Sequence, residues 1–257
     1  MHVDDATIRR AFDAYVHRYV RGTRKAWPVP DKIGLYLHAR DAFSGEGGQA
    51  SFQHVYRALK GPWQAFRNSA SCWSVERTFS ELRQLPGDVR GHRLSDLGEA
   101  HWRGVWNCIQ RVRDVKTVTS GVTSLVAISK VLHFWNPRIF VICDRQVVEE
   151  WALGHKWLSD QLPPEHAVTG VLGPGAANDR RLLFYMRVLL FARDLVRANP
   201  AIPRTFADIV NENRGHAQPP EDVNTYEATA VEWFLLGLVE LPPSGVSLQL
   251  PLRGEAR

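Results

Sequence analysis

The stretch SGVTSLVAISKVLHFWNPRIFVICDRQVVEEW, residues 120–151, decides the fold that we predict. Gly121 permits a sharp turn, and the apolar residues after it predict a helix that ends at an Asn-Pro break. A short apolar, β-rich segment, residues 138–143, follows and delivers one carboxylate, Asp144. This layout can hold a phosphate at its glycine turn and a reacting sugar at its carboxylate.

Length and composition limit the classes of protein to consider. A chain of 257 residues can bury a sizeable core in one or two domains. It carries 32 Lys and Arg against 27 Asp and Glu, and the net charge of +5 suits a polyanionic partner. Many proteins with such a charge bind no nucleic acid, however. The nine Trp supply core volume and can also stack on bases.

Cysteine usage and hydropathy indicate an intracellular chain without a bound metal. The three Cys are widely spaced, and no pair stands at metal-ligand or redox spacing. The sequence contains no iron–sulfur loop, so we expect neither a cofactor nor a metal site. No signal-peptide pattern is present, and no apolar run reaches the ~18 residues of a membrane span. We therefore predict a soluble cytoplasmic protein.

Apolar periodicity predicts an all-α protein. Asp5 is the candidate cap of the first helix, and Ser95 is the candidate cap of the helix before the glycine turn. We expect Gly61-Pro62 to kink the predicted helix over residues 50–67 without ending it. We expect a connection over residues 23–33, a long loop over 159–179 and the main β segment over 138–143. The predicted helices cover residues 5–21, 50–67, 73–85, 180–199 and 221–241, with a shorter one around 206–210.

The glycine turn and the basic helix before it form a candidate phosphate site. A helix that begins just after Gly121 offers free backbone N–H groups and its positive dipole end to an anion. Cations beside such a turn position a nucleic-acid backbone without reading its sequence. The alternative is a plain helix corner with a solvated basic face. The residues predicted to contact DNA are Ser120, Gly121, Val122, Thr123, Ser124, Arg113, Lys116 and Lys130.

Asp144 is the candidate catalytic residue. It follows an apolar run, so desolvation should raise the pKa of its carboxyl unless a partner favours the anion. The alternative is that Asp144 caps a helix starting at Gln146. The two roles are compatible, because a capping carboxylate can also face a cleft.

These residues resemble the helix-hairpin-helix DNA glycosylase superfamily, which includes endonuclease III, adenine glycosylase and 8-oxoguanine glycosylase. The family pattern is a Gly-Val-Gly hairpin, a helix, a short apolar segment and an essential Asp. Gly121, Val122 and Thr123 stand at the hairpin, and FVICDRQV, residues 140–147, is similar to the segment around the family's Asp. The likeness covers about fifty residues, from 103 to 151.

Two departures from the family pattern change what the resemblance implies. Thr123 replaces the third hairpin glycine and alters the turn. Leu125 stands where bifunctional members carry a Lys that forms a Schiff base, and Lys130 lies more than one turn further along the helix. The resemblance therefore implies a monofunctional glycosylase without lyase activity. Asp144 would stabilise an oxocarbenium-like sugar or activate water.

An excised base must leave the duplex stack, so the resemblance also implies a base pocket. Its candidate wall residues are His133, Phe134, Trp135 and Trp151, although each is also typical of a core residue. Lys130 stands on an otherwise apolar helix, which favours a polar or phosphate-facing role for it.

The predicted architecture is a two-lobed helical bundle around a central helix-hairpin-helix motif, with at most a short β segment. Residues 1–100 would form a helical lobe, 101–158 the motif and its carboxylate, and 159–257 C-terminal helices that pack back on the core. The sequence leaves open whether the first hundred residues form a separate lobe or wrap around the C-terminal helices.

The sequence supports three functional hypotheses. The first is a glycosylase that removes a damaged or modified base, such as a modified phage cytosine, in repair or antiviral defence. The second is a non-catalytic DNA-binding module that kept the hairpin scaffold. The third is a small-molecule or regulatory protein that shares only the helical packing. For the first hypothesis we expect DNA as the partner, a monomer, no membrane and no nucleotide cofactor.

Overall fold

The protein is predominantly helical, which confirms the all-α prediction. The computed structural model describes residues 1–21, 29–44, 47–63, 65, 74–120, 125–143, 160–172, 179–216, 222–241 and 248–249. The side chains of residues 29–30, 114–120 and 248–249 lie outside this description.

Most of the described elements are helices. The α-helices are α1 (Asp5–Tyr15), α2 (Val29–Ser44), α3 (Gly48–Lys60), α4 (Val75–Arg83), α5 (Gly87–Arg90), α6 (Glu99–Ser120), α7 (Leu125–Trp135), α8 (Glu165–Leu172), α9 (Arg180–Ala198), α10 (Ala201–Asn213) and α11 (Glu227–Val239). The shorter pieces are a π-helical turn (Val16–Val20), two 3₁₀ turns (Leu94–Asp96 and Val223–Thr225) and two strands, β1 (His2–Val3) and β2 (Leu248–Gln249). Within the described ranges, no helix combines the length and apolar character that crossing a membrane requires.

Helix starts differ from the predicted ones by a few residues. The cap of α1 is Asp4 rather than its neighbour Asp5, because the Asp4 Oδ1 accepts the Thr7 N–H at 2.8 Å. Ser95 does not cap α6, which begins four residues later in the sequence. The N–H and the hydroxyl of Ser95 instead donate to the Glu227 carboxylate, each at 2.7 Å.

Two helices occupy ranges in which the sequence predicts connections. α2 begins inside the range 23–33, and α8 lies inside the loop predicted over 159–179. Most buried positions of α2 lie on one face of the helix, three or four residues apart. The charged Lys32 is one of them, and the apolar Leu37 lies off that face, so the sequence shows the periodicity of an amphipathic helix only weakly. The Gly-Pro pair after α3 ends that helix at Lys60 instead of kinking it.

The predicted β segment, residues 138–143, is not a strand. Residues 137–139 form a turn, and 140–143 are irregular chain buried on all sides. Its β-branched and aromatic residues therefore reflect burial and not strand pairing, since the same residue types suit both environments. The described strands lie elsewhere, and they pair antiparallel.

Helices from the beginning and the end of the chain pack together. α1 lies against α10 and α11, and β1 pairs with β2 so that His2 is opposite Gln249. α2 packs on α3 and on α7, and α6 also packs on α7. Contacts therefore join the predicted range 1–100 to 159–257. Whether the three predicted ranges fold as separate parts stays a prediction.

Gly237 allows α11 to approach α1 closely. A Cβ at this position would overlap the Ala11 carbonyl and stand 3.1 Å from the Tyr15 Cβ. Beside this crossing, the Tyr15 ring stacks on Trp233 with centroids 4.5 Å apart. The Lys32 Nζ lies 4.8 Å from the Trp233 ring centroid. The absence of a side chain at Gly237 is thus a packing requirement.

We expect Gly237→Ala to lower the free energy of unfolding by about 1–3 kcal/mol, because α1 and α11 must separate to admit the methyl group. Urea unfolding followed by circular dichroism measures this loss. Gly34→Ala on α2 is the matched control, since a Cβ there meets nothing within 4 Å. It should leave stability unchanged or raise it by up to about 1 kcal/mol. Equal stabilities of the two variants would contradict the close approach.

Candidate functional site

α7 ends at the predicted Asn-Pro break, and Asn136 organises the turn after it. The Asn136 N–H donates to the Leu132 carbonyl at 2.8 Å and closes the last turn of the helix. Its side-chain oxygen accepts the Arg138 N–H at 3.1 Å, and its carbonyl accepts the Phe140 N–H at 3.2 Å. The chain thereby reverses and runs back along α7 through residues 140–143, which we call the buried segment.

The buried segment is irregular chain inside the core, with at most 1% of any residue exposed. Its backbone polar groups therefore need partners within the protein. Tyr185 on α9 donates its hydroxyl to the Val141 carbonyl at 2.8 Å. Ser129 on α7 accepts the Cys143 N–H with its Oγ at 2.9 Å. The chain is thus held by side chains up to Cys143, the residue that precedes the predicted catalytic aspartate in sequence.

His133 supplies a third tie to the buried segment. Its Nδ1 lies 2.7 Å from the Phe140 carbonyl, and its Nε2 lies 2.8 Å from the Tyr36 hydroxyl. A carbonyl only accepts, so Nδ1 carries the proton and Nε2 accepts from Tyr36. Burial lowers the pKa of His133 to about 4, opposed by the bond to Phe140 and assisted by Lys32. The ring is therefore neutral, and it would have to give up one of these bonds to read a base.

Lys130 follows Ser129, the residue of α7 that accepts the Cys143 N–H. Its Nζ donates to the Trp63 carbonyl at 2.9 Å and stands 5.8 Å from the Trp63 ring centroid. Only 9% of the residue is exposed, so most of its surface is covered by protein. The predicted DNA contact of Lys130 stays a prediction, and a phosphate would have to approach this nearly covered side chain.

Leu125 stands where members of the resembled superfamily carry a Schiff-base lysine, and its surroundings in the structure are apolar. Leu125, the first residue of α7, is partly buried and packs against the hydrophobic core. No amine is supplied by this position. The absence of lyase activity stays a prediction.

Among the DNA-contacting residues predicted on the basic helix α6, Arg113 is the one whose side chain the structure describes. Arg113 Nη1 lies 3.6 Å from Asp179 Oδ2, and Asp179 also caps α9 through the Leu182 N–H at 3.1 Å. About a quarter of each charged side chain is exposed. Arg113 is thus partly neutralised by a carboxylate that has a second structural role.

The remaining predicted site residues fall outside what the structure describes. For Lys116 and Ser120 the description covers the backbone within α6 only. The hairpin, the catalytic carboxylate and one base-pocket wall are not covered, so their roles stay predictions. These residues are Gly121, Val122, Thr123, Ser124, Asp144 and Trp151.

Phe134 and Trp135 line a cavity of about 200 Å³, but it lies at the carboxyl-terminal end of α7. The Cys143 N–H meets the same helix at Ser129, about 9 Å closer to its amino-terminal end at a rise of 1.5 Å per residue. The cavity lined by Phe134 and Trp135 is therefore displaced along α7 from Cys143, the last residue of the buried segment. Their predicted role as walls of a base pocket beside Asp144 stays a prediction.

The same cavity contains charged residues that the sequence does not single out. Arg40 on α2, Arg90 at the end of α5 and Arg138 after α7 meet there with Asp222 and Tyr226. They come from well-separated parts of the chain, and no motif or spacing connects them. Only the folded arrangement brings them together.

Neither a search for clustered metal ligands nor a comparison with known proteins identifies a function for the site. Among the residues that the structure covers, no group of three or more His, Cys, Asp or Glu could hold a metal ion. Comparison with protein-family models, with curated proteins and with solved structures finds no match for the chain. Function is therefore inferred from the site's own geometry and from the sequence.

We expect stability to fall as the pH drops, because folded His133 resists a proton that the unfolded chain accepts. With a pKa of about 4 folded and about 6.5 unfolded, the loss begins near pH 6.5 and amounts to about 2 kcal/mol by pH 5. Other groups titrate in the same range, so urea unfolding at pH 7.5 and 5.0 should compare the wild type with His133→Gln. The pH-dependent loss should be about 2 kcal/mol smaller in this variant.

The matched control is His216→Gln, which changes an exposed histidine. It should keep the wild-type difference between the two pH values. An unchanged pH dependence in His133→Gln would show that the buried ring is not the group responsible.

We expect Ser129→Ala to lower the free energy of unfolding by about 1–3 kcal/mol, because it leaves the Cys143 N–H buried without its acceptor. Thermal and urea unfolding measure the loss. Ser80→Ala on α4 is the control, since Ser80 is exposed and should change stability by no more than about 0.5 kcal/mol. A Ser129 variant as stable as the wild type would show that the hydrogen bond is replaceable.

Proposed function

We propose that the chain is a monofunctional DNA glycosylase that hydrolyses the N-glycosidic bond of a damaged or modified base, with Asp144 as its catalytic residue. The observation that carries the proposal is the buried segment, which side chains of α7 and α9 tie in place up to Cys143. Catalysis by a fixed charge requires such a rigid support, because a mobile carboxylate must reorganise during the reaction. The resemblance of residues 140–147 to the family's segment supports the choice of Asp144.

In the proposed reaction the bond between C1′ of the sugar and the base nitrogen breaks, and the base leaves with its bonding electrons. A water oxygen bonds to C1′, one water proton is released through Asp144, and the base nitrogen takes up a proton. The developing positive charge on the sugar is stabilised by the Asp144 carboxylate. The products are a free base and an abasic site in an intact strand.

The absence of strand cleavage in the proposal rests on Leu125. Strand cleavage by the family's route needs an amine that forms a Schiff base with the sugar. Leu125 packs against the core at that position, and the nearby Lys130 donates to the Trp63 carbonyl. The proposal therefore gives Lys130 no nucleophilic role.

A modified cytosine, as found in hypermodified phage DNA, is the substrate that we would test first. The altered hairpin at Thr123 suits a divergent member of the superfamily whose substrate lies outside housekeeping repair. If the substrate is a modified phage cytosine, the protein acts in antiviral defence. If the substrate is a damaged base, it acts in DNA repair.

The second candidate is a non-catalytic DNA-binding module, favoured by the loss of the family's Lys at Leu125 and of the third hairpin glycine at Thr123. Such a module would bind DNA with an affinity that falls steeply with salt, since the contacts would be to phosphates. It would leave every base in place.

We expect the protein to produce alkali-sensitive sites in duplex DNA that carries one of a panel of damaged bases or modified cytosines. Breaks should appear only after alkali treatment, because the reaction leaves an abasic site. Asp144→Asn should lower the rate by about 10²–10⁴-fold, the range of a lost charge-stabilising or proton-transferring group. Gel electrophoresis of end-labelled strands gives the rate.

Asp208→Asn is the matched control, because Asp208 is exposed on α10 and the substitution makes the same carboxylate-to-amide change. It should retain the wild-type rate. Salt-dependent DNA binding without base release would favour the non-catalytic module, and no binding even at low salt would exclude both candidates. Equal rates of the wild type and Asp144→Asn would exclude Asp144 as the catalytic residue.

A further inference from the structure

The cavity at the carboxyl-terminal end of α7 shares Phe134 and Trp135 with the predicted base pocket, but it also contains charged residues that the glycosylase proposal does not use. Arg40, Arg90 and Arg138 line it together with Asp222 and Tyr226. α7 is about 16 Å long, and the predicted hairpin precedes its other end. Ligand binding in this cavity is inferred from its own lining residues and does not rest on the proposed glycosylase activity.

Cations outnumber carboxylates in the lining of the cavity. Three guanidinium groups face one carboxylate, that of Asp222, which forms an ion pair with Arg138. Arg40 also lies 3.3 Å from the Asp41 carboxylate, at the rim. With Asp41 counted, three guanidinium groups stand against two carboxylates, and the excess of one positive charge is that of Arg90.

Arg90 is the central unneutralised cation of the cavity. Its guanidinium donates to the Phe43 carbonyl and lies 5.4 Å from the Phe43 ring centroid. Within the described chain, no carboxylate forms an ion pair with it. Burial and the nearby charge of Arg138 both lower the pKa of Arg90, so two like charges are held close together here. An anion between them would relieve this repulsion.

The walls of the cavity strengthen its charge interactions. The rings of Tyr36, Phe134, Trp135 and Tyr226 are each at most 5% exposed, so the charges stand against an apolar floor. Coulombic attraction is stronger beside such a floor than in bulk water. Burial, and then Asp222, raise the pKa of Tyr226, which keeps its hydroxyl protonated and able to donate to an anion.

Charge and size together select the ligand class. A phosphate monoester carries about −1.5 to −2 charges near neutral pH, so it can neutralise Arg90 and also attract Arg40 and Arg138. Its three terminal oxygens match guanidinium forks. At about 200 Å³ the cavity lies below the range of about 300–1,000 Å³ that larger ligands occupy. It therefore suits a phosphate with part of its sugar.

We propose that this cavity binds a phosphate monoester, and the two carriers to be distinguished are a free mononucleotide and the phosphorylated 5′ end of a DNA strand. In either form the phosphate lies between Arg90 and Arg138, and Arg40 closes the rim. Asp222 competes with the ligand for Arg138, so it acts as an internal counter-ion in the empty cavity.

Isothermal titration calorimetry with the full chain tests the proposal in two arms. The first compares thymidine 5′-monophosphate with thymidine, and the second compares a single-stranded oligonucleotide with and without a 5′-phosphate. At least one phosphorylated probe should bind about tenfold more tightly than its hydroxyl counterpart. Preference in the first arm alone identifies a free nucleotide, and preference in the second alone identifies a strand end.

Substitutions of opposite sign make the test specific. Arg90→Gln should reduce the phosphate preference about tenfold or abolish it, and Arg40→Gln should reduce it by a smaller factor because Arg40 is more exposed. Asp222→Asn should strengthen binding, since it removes the competing carboxylate. A structural role of the Asp222 ion pair would instead weaken binding.

Arg83→Gln is the matched control, because the Arg83 guanidinium also lies over a phenylalanine ring, Phe79, but outside the cavity. It should bind as the wild type does. Circular dichroism checks that each variant is folded, and Arg40→Gln serves if Arg90→Gln is not. Absence of phosphate preference in both arms, or equal losses in Arg83→Gln and Arg90→Gln, would overturn the proposal.

Discussion

The structure depends on one constraint: residues 140–143 are irregular chain inside the core, and their backbone polar groups must be satisfied there. Helices and sheets satisfy such groups internally, but this segment does neither. Side chains on α7 and α9 take over that task through Ser129, His133 and Tyr185. An unmet buried N–H or C=O costs about 1–3 kcal/mol, so these side chains constrain the positions of both helices.

The helices that hold the buried segment also contact other helices of the fold. Tyr36 on α2 bonds to the far side of the His133 ring, so a third helix is aligned with the buried segment. α7 also contacts α3 and α6, which places the segment's support at the centre of the packing. A segment held in this way can support a neighbouring group that must not move during a reaction, and this is the physical basis of the proposed role of Asp144.

Local sequence signals predicted the elements that depend on local chemistry. The helix α7 and its end at Asn136 follow from an apolar run and an Asn-Pro break, and the structure has both. The next segment was predicted to be β because residue types that favour strands also favour burial. α2 was not predicted, since the buried Lys32 and the partly buried Leu37 weaken its apolar periodicity. The cavity of Arg40, Arg90 and Arg138 could not be predicted, because it depends on tertiary contacts between distant parts of the chain.

Native-state hydrogen exchange at the Cys143 amide tests the central claim, which is that the buried segment is as firmly held as the helical core. We expect this amide to exchange only through global unfolding, with the same free energy as the core amides of α11. In Ser129→Ala its protection should fall further than that of the α11 amides. Exchange at Cys143 through a low-energy local opening in the wild type would contradict the claim.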